Sequence, residues 1–206
     1  MKDNIVVNKE KHTYHVNGKR KPCVSDILKM YDAIKYGSVP QWILEEAADR
    51  GRRVHEFTEL YDCDGDFNVD EFRDENLDID GYVLAALRFY KDYGNHFFLV
   101  EEPFYSKEFD YCCTIDRVRL IKDKETGVEH EAIIDYKTST KLLPLRNRLQ
   151  LSLYGIAVYG LDKYLLYNYY IVHLERSGDY QLVKVEPIGK EEMEKFIQLY
   201  YAFKGD

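Results

Sequence analysis

The stretch Ile133-Ile134-Asp135-Tyr136-Lys137-Thr138 places a carboxylate and an amine two residues apart, directly after two aliphatic side chains. Side chains alternate along a β-strand, so Asp135 and Lys137 project from the same face. A surface ion pair of this kind is common and contributes little to stability. The pattern alone leaves open whether this strand end carries chemistry or only charge.

A second acidic residue lies in the β-forming run before it. Asp116 is flanked by apolar residues in Thr114-Ile115-Asp116-Arg117-Val118, and an antiparallel turn can bring it beside Asp135. Two ionised carboxylates in a half-buried cleft repel each other, and a divalent cation removes that cost. Oxygen ligands of this kind suit Mg²⁺ or Mn²⁺, and Lys137 would lie near a metal-bound water. Asp116, Asp135 and Lys137 are therefore the candidate catalytic residues.

The surrounding pattern predicts strands in the middle of the chain and helices on both sides. The runs 97–105, 109–121 and 128–137 are rich in β-formers and are expected to form an antiparallel meander, with a turn at 123–127. Two further strands are expected at 164–174 and 180–185. Helical spacing of apolar residues is expected in four segments, 41–61, 81–93, 146–159 and 189–203.

We predict a single α/β domain over 1–206, with a mixed central β-sheet flanked by helices. Segment 1–40 is expected to hold a hairpin (5–8 and 13–16, before Asn17-Gly18) and a short helix capped at Ser25-Asp26. Segment 41–206 is expected to form the core, with an acidic solvated loop at about 62–80.

Charge is unevenly distributed along the chain. The formal net charge is −8, and the segment 62–80 alone contains nine acidic residues against Arg73. Between Tyr136 and Leu161 there is no acidic residue, whereas Lys137, Lys141, Arg146 and Arg148 are basic. A phosphate-facing groove needs only a local positive field, because salt screens charges beyond about 10 Å. The acidic balance weakens a nucleic-acid interpretation without excluding it.

No apolar run approaches the length needed to span a bilayer, and Met1-Lys2-Asp3-Asn4 does not open a secretory signal. We therefore expect a cytoplasmic protein without a membrane partner. The four cysteines, Cys23, Cys63, Cys112 and Cys113, form no C-x-x-C pair. A zinc or iron–sulfur site is thus disfavoured.

Two other metal sites are weighed and set aside. His55-Glu56 suggests a zinc protease helix, but the second histidine that such a helix needs is Glu59 here. The segment 62–66 hints at a calcium loop, yet Phe67 and Arg73 stand where that loop requires glycine and glutamate.

Asp116 followed by Asp135-Tyr136-Lys137 resembles the signature of the PD-(D/E)XK nuclease superfamily. Two motifs resemble its RecB-like branch, which includes many phage exonucleases: Gly51-Arg52-Arg53-Val54-His55 and Gln150-Leu151-Ser152-Leu153-Tyr154. The segments 14–18 and 24–28 also resemble phage members, so the likeness runs from about Tyr14 to Tyr159. One departure is Cys113, where the family usually has glycine.

The resemblance implies a restriction-endonuclease-like core and a Mg²⁺ or Mn²⁺ ion held by His55, Asp116, Asp135 and the Tyr136 carbonyl. It implies that Lys137 positions and activates water. It implies DNA as partner and substrate, contacted by Gln150 and Tyr154. Arg146, Arg148 and Thr138 are further candidate substrate contacts. It also implies exonuclease action that leaves 5′-phosphates, in phage or prophage recombination and repair. A recombination or single-strand-annealing partner and an oligomer are compatible with this expectation, and no iron–sulfur cluster is expected.

Alternatives remain at several positions. His55 taken alone favours a surface histidine beside Glu56 and Glu59, and it favours a metal ligand only together with the carboxylates and Lys137. Glu101 or Glu102 is a metal ligand through water or an exposed acid. Arg146 and Arg148 are phosphate contacts or helix-end charges. At the level of function, the rivals are a structure-selective or sequence-specific endonuclease on the same core, and a catalytically inactive DNA-binding module.

Overall fold

The computed structural model describes residues 3–9, 11–64, 78–94, 97–122 and 126–204. Its helices and strands, in chain order, are β1 (Ile5–Asn8), β2 (Thr13–Val16), β3 (Lys19–Lys21), α1 (Val24–Tyr36), α2 (Gln41–Asp64), α3 (Asp80–Tyr93), β4 (Phe97–Ser106), β5 (Tyr111–Lys122), β6 (Glu129–Lys137), α4 (Pro144–Tyr159), β7 (Asn168–Leu174), β8 (Tyr180–Lys184) and α5 (Lys190–Lys204).

The central sheet has five strands in the order β4-β5-β6-β7-β8. Strands β4, β5 and β6 pair antiparallel, which confirms the meander expected from the sequence. Strands β6 and β7 pair parallel, and β8 returns antiparallel to β7. A parallel pair needs a crossover connection, which α4 supplies. The predicted α/β class with a mixed sheet flanked by helices is confirmed.

Helices cover both faces of this sheet. On one face, residues of α1, α4 and α5 form a core with Ile115, Val118 and Ile133. On the other face, α2 and α3 pack against Ile134 and Tyr136. Because neighbouring strand residues point to opposite faces, Ile133 belongs to the first core and Ile134 to the second.

Helix α4 lies unusually close to β7 at Gly155. A Cβ atom at Gly155 would stand 2.0 Å from the Tyr169 hydroxyl, which donates a 2.6 Å hydrogen bond to the Tyr164 carbonyl. A larger residue at position 155 would therefore push α4 away from the sheet. This contact fixes the distance between the sheet and α4, the helix that carries Gln150 and Tyr154.

The N-terminal segment forms a separate three-stranded sheet, one strand more than predicted. Asn17 and Gly18, with φ angles of 51° and 80°, form a two-residue turn into β3. Tyr14 and Val16 of β2 pack against Cys112 of β5. The small sheet therefore rests on the start of a central strand.

Several element boundaries differ from prediction. Helix α1 begins at Val24, because the Asp26 carboxylate accepts a 3.1 Å hydrogen bond from the Cys23 amide and so caps the helix earlier. Helix α2 continues to Asp64, into the segment expected as a loop. The expected strand at 164–174 opens with a 3₁₀ turn at Tyr164–Leu166 and becomes β-strand at Asn168.

Parts of three sequence predictions lie outside the described residues. These are 65–77 of the acidic loop and the calcium-like segment, and 123–125 of the β5–β6 turn. Within the described part of the chain, no helix is both long enough and apolar enough to cross a membrane.

Candidate metal and active site

The candidate site lies where β5 and β6 separate. Their pairing runs from Lys122 opposite Glu129 to Arg117 opposite Ile134. The next residues, Asp116 and Asp135, are no longer part of this ladder. Strand β6 continues alongside β7 instead, so both acidic residues stand at the end of the antiparallel pair.

Asp116 replaces the missing ladder contact with its side chain. Its Oδ2 accepts a 2.9 Å hydrogen bond from the Tyr136 backbone amide, and the residue is buried. A buried backbone N–H requires an acceptor. The carboxylate meets that requirement and is held next to β6 as a result.

His55 reaches the same point from α2. Its Nδ1 lies 3.5 Å from Asp116 Oδ2 and 3.7 Å from Glu101 Oε1, and its Nε2 lies 3.2 Å from the Tyr136 carbonyl oxygen. The neighbouring Val54 is fully buried against the sheet. That packing places His55 at the border between core and solvent, beside both carboxylates.

Glu101 joins this cluster from β4, and the sequence had left it undecided between ligand and exposed acid. Its backbone has a φ of 48°, in the left-handed region that non-glycine residues rarely adopt. Such a conformation costs roughly 1–3 kcal/mol and occurs at functional sites as well as in turns. Ligand atoms of His55, Glu101 and Asp116 all lie within 4.8 Å of one another.

Asp135 completes the acidic side of the site. It is almost fully buried, and its Oδ1 accepts a 2.9 Å hydrogen bond from Gln150 Nε2. Its Oδ2 contacts the Lys137 ammonium, and the Lys137 side chain is 20% exposed. The same-face placement of Asp135 and Lys137 expected from strand alternation is therefore present.

Helix α4 orients Gln150 through a chain of polar contacts. Gln150 Nε2 also donates to the Tyr154 hydroxyl at 2.8 Å, and its oxygen accepts from Arg146 at 3.1 Å. Arg146 in turn forms a bidentate pair with Asp32 of α1, at 2.6 and 3.0 Å. Because Arg146 occupies the amide oxygen, the amide nitrogen must face Asp135.

A buried arginine supports the site from behind. Arg117 is fully buried and contacts the Asp62 carboxylate, which is also inaccessible to solvent. It donates to Glu101 Oε1 at 3.1 Å, to the Asp116 carbonyl at 2.5 Å and to Thr58 Oγ1 at 3.2 Å. Arg117 therefore holds both the Glu101 side chain and the Asp116 backbone.

The titratable groups of the cluster interact strongly. Burial raises the pKa of Asp116 and of Asp135, because it penalises their charged forms. Burial lowers the pKa of His55, but the negative charges of Asp116 and Glu101 outweigh burial and raise it to about 9. In the metal-free protein the carboxylates are thus balanced by His55 and Lys137, and a metal that binds here would have to displace the His55 proton.

The donor atoms are of the kinds that divalent cations bind. Mg²⁺ and Mn²⁺ prefer carboxylate and carbonyl oxygens, whereas imidazole nitrogen is a more usual ligand of the later first-row transition metals. Asp135 Oδ2 contacts the Lys137 ammonium, so this oxygen is occupied by a cationic group in the metal-free protein. A divalent cation would compete with Lys137 for it.

The remaining predicted contacts lie in different places. Thr138 is buried, and its Oγ1 lies 3.8 Å from where a Cβ on Gly51 would stand, so it packs beneath α2. Arg148 donates to the carbonyls of Glu186 and Pro187, at 2.9 and 3.4 Å. Its exposed guanidinium ties α4 to the segment before α5, and a phosphate contact at this residue stays a prediction. The Arg146 guanidinium is likewise paired within the protein, with Asp32.

Sequence reasoning missed Arg117 and Asp62. A charged residue within an apolar strand usually indicates an exposed face, and Asp62 was assigned to a loop. The sequence signal for Asp62 was its position one helical turn after Thr58, on the helix that carries His55. Residues one turn apart share a helix face, so Asp62 is a further polar group that faces inward.

Comparisons with known proteins leave the family open. A scan against protein-family models finds no match, and a search of the curated proteins finds none either. The solved structures include a similar chain described as "Crystal structure of SSO0001", with a TM-score of 0.38 and 12% identity. That match covers 88% of this chain and 86% of the other.

Proposed function

We propose that this chain is a Mg²⁺- or Mn²⁺-dependent deoxyribonuclease with a PD-(D/E)XK-type site. The observation that carries the proposal is the convergence of His55, Asp116, Asp135 and Lys137 around the backbone of Tyr136. Three motifs of the sequence resemblance meet at this one point, and the fourth reaches it through Gln150, which hydrogen-bonds to Asp135. A structural ion pair would need only two of these groups.

The metal would be held by His55, Asp116, Asp135 and the Tyr136 carbonyl, with Glu101 as a further ligand, directly or through water. When bound, such an ion lowers the pKa of a coordinated water and stabilises negative charge on a phosphoryl group. The Tyr136 amide and carbonyl face Asp116 and His55 respectively, so one residue aligns two ligands.

Lys137 is the group best placed to act on water and phosphate. Its ammonium contacts Asp135 and remains partly exposed, so it borders both the ligand cluster and solvent. There it can orient the attacking water by hydrogen bonding and offset the charge that develops on the phosphate. Gln150 acts through Asp135, because it holds that carboxylate in one orientation.

Exonuclease action that leaves 5′-phosphates is the favoured mode, and it rests on the sequence resemblance. The alternative, an endonuclease on the same core, is distinguished by closed circular DNA. An endonuclease can cut such a circle, whereas a strict exonuclease cannot. A catalytically inactive DNA-binding module is disfavoured, because it has no physical need to bury two repelling carboxylates beside an imidazole. A cytoplasmic location and a recombination or annealing partner remain predictions.

End-labelled single-stranded and duplex DNA, incubated with Mg²⁺, Mn²⁺ or EDTA, tests the proposal. We expect metal-stimulated release of 5′-phosphorylated nucleotides from linear DNA, no release with EDTA and none from closed circles. Absence of cleavage by folded, metal-loaded protein on every one of these DNAs would overturn the nuclease proposal. Cleavage of closed circles would instead favour the endonuclease.

A further inference from the structure

A groove opens directly beyond the candidate catalytic strand end. Its volume is about 680 Å³, and one wall is the segment after β6, from Ser139 to Leu142. His173 at the end of β7, Arg50 of α2 and Tyr82 of α3 also line it. Ser139 follows Lys137 by two residues, which is roughly 7 Å of extended chain.

The wall nearest the site is firmly held. His173 Nε2 lies 2.6 Å from the Ser139 carbonyl oxygen, and His173 pairs with Lys137 across β6 and β7. Gly51, next to Arg50, packs on Thr138. The groove and the metal cluster are therefore built on the same strand end and the same helix.

Among the described residues, Arg50 offers this groove a cation that packs on a tyrosine ring and pairs with no acidic side chain. Its guanidinium lies 5.6 Å from the centre of the buried Tyr82 ring, and its Nε is buried. Within the described residues, Nε has no hydrogen-bond partner and no carboxylate pairs with this guanidinium. A buried donor without an acceptor is unfavourable, so a ligand that brings an acceptor would be stabilised here.

The other charged side chains of the groove suit a ligand that has an anionic part and an uncharged part. Arg176 is already paired with Asp78, whereas Lys141 is exposed close to the catalytic strand end. Glu46 and Glu175 also line the groove, beside apolar surface from Leu142. Mixed polar groups and apolar surface suit a nucleobase, and the cations suit a phosphate.

We propose that this groove binds one unpaired strand of DNA next to the scissile phosphate, with Arg50 and Lys141 as backbone contacts. This inference rests on the proposed nuclease function. A cavity of this volume accommodates roughly one to two nucleotides and not a duplex. Single-strand sites elsewhere combine a cationic track with stacking or apolar surface for the bases. A single-stranded end is thus the substrate feature that this groove selects.

Equilibrium binding in EDTA separates this inference from catalysis. A fluorescently labelled 12-nucleotide thymidine strand and a blunt 12-base-pair duplex are titrated with wild-type protein, with Arg50→Gln and with Arg52→Gln. Arg52 is the matched control, because it lies on the same helix but is exposed and paired with Asp49. Lys141→Gln is the second test variant, used also if Arg50→Gln fails to give a wild-type circular dichroism spectrum.

We expect the single strand to bind at least fivefold more tightly than the blunt duplex. Arg50→Gln and Lys141→Gln should each weaken single-strand binding at least fivefold and reduce the salt-dependence slope by about 0.7. Arg52→Gln should bind within twofold of wild type. Equal binding by Arg50→Gln, Lys141→Gln and wild type, or preference for the blunt duplex, would overturn the inference. Single-strand binding as expected but without metal-dependent cleavage would overturn the nuclease proposal instead.

Discussion

The Asp116 carboxylate and the Tyr136 amide are joined by a 2.9 Å hydrogen bond across the point where β5 and β6 separate. An acidic side chain thereby takes over a contact that a strand partner would normally make. The Tyr136 carbonyl, on the same residue, lies 3.2 Å from His55 Nε2. The end of a β-ladder is in this way converted into a cluster of oxygen and nitrogen donors.

Glu101→Gln is expected to weaken Mn²⁺ binding by about tenfold or more, because it removes a charge from the cluster that faces His55. Isothermal titration calorimetry measures the effect. The neighbouring Glu102→Gln is the matched control, since Glu102 is exposed and should bind Mn²⁺ within twofold of wild type. Equal affinity of both variants would remove Glu101 from the ligand set.

Lys137→Ala is expected to lower the rate of DNA cleavage by about 10²-fold or more, because water and phosphate lose their cationic partner. Mn²⁺ affinity should stay within a few-fold of wild type, since Lys137 is not a ligand. Lys122→Ala, an exposed residue at the far end of β5, serves as control. A cleavage rate close to wild type in Lys137→Ala would show that this amine is not catalytic.

Gln150→Leu is expected to reduce kcat for cleavage by about 10- to 100-fold, because Asp135 loses the donor that orients it. A purely structural role would change thermal stability without a selective effect on kcat. Gln198 on α5 is exposed, so Gln198→Leu is a suitable control for the effect of a Gln→Leu substitution on purification and folding. Unchanged kcat in Gln150→Leu, with normal folding, would contradict the positioning role.

Mn²⁺ affinity is expected to rise with pH up to about 9. The pKa of His55 is raised to about 9 in the metal-free protein, so below that pH its imidazole carries a proton that the metal must displace. One displaced proton gives an increase of about tenfold per pH unit. Calorimetry in two buffers of different ionisation enthalpy measures the released proton. In His55→Ala the slope should flatten, and an unchanged slope would argue against His55 as a ligand.

Arg117→Met is expected to destabilise the protein by about 3–5 kcal/mol, because it leaves the buried Asp62 without its partner. Urea unfolding measures the loss. Burial already raises the pKa of Asp62 to about 6 despite Arg117, so the deficit should be smaller at pH 5, where this carboxyl is protonated, than at pH 8. The double variant Arg117→Met/Asp62→Leu should recover part of the stability. A single variant as stable as wild type at pH 8 would contradict this account.

Much of the fold follows from local patterns. The alternation that places Asp135 and Lys137 on one face, and the helical periodicity around His55, are properties of single elements and were predictable. Strand β3 was missed, because Lys19-Arg20-Lys21 has no apolar residue to signal a strand. Its position depends on the Asn17-Gly18 turn and on pairing with β2.

The finer parts of the site depend on contacts between elements. Glu101 could not be separated from Glu102 in the sequence, because its direction is determined by an unusual backbone φ in β4. The burial of Arg117 depends on Asp62, which is 55 residues away in the chain. Arg148 is another contact of this kind. Its guanidinium donates hydrogen bonds to two carbonyls near α5, and no local sequence pattern indicates those partners.

We expect a single divalent cation to bind among His55, Asp116, Asp135 and the Tyr136 carbonyl. Anomalous scattering from crystals of the intact protein soaked in Mn²⁺ would locate this ion. The expected result is a strong anomalous peak within about 2.0–2.3 Å of the donor atoms of these four residues. A well-ordered crystal with no peak there, or with Mn²⁺ bound only at other positions, would contradict it.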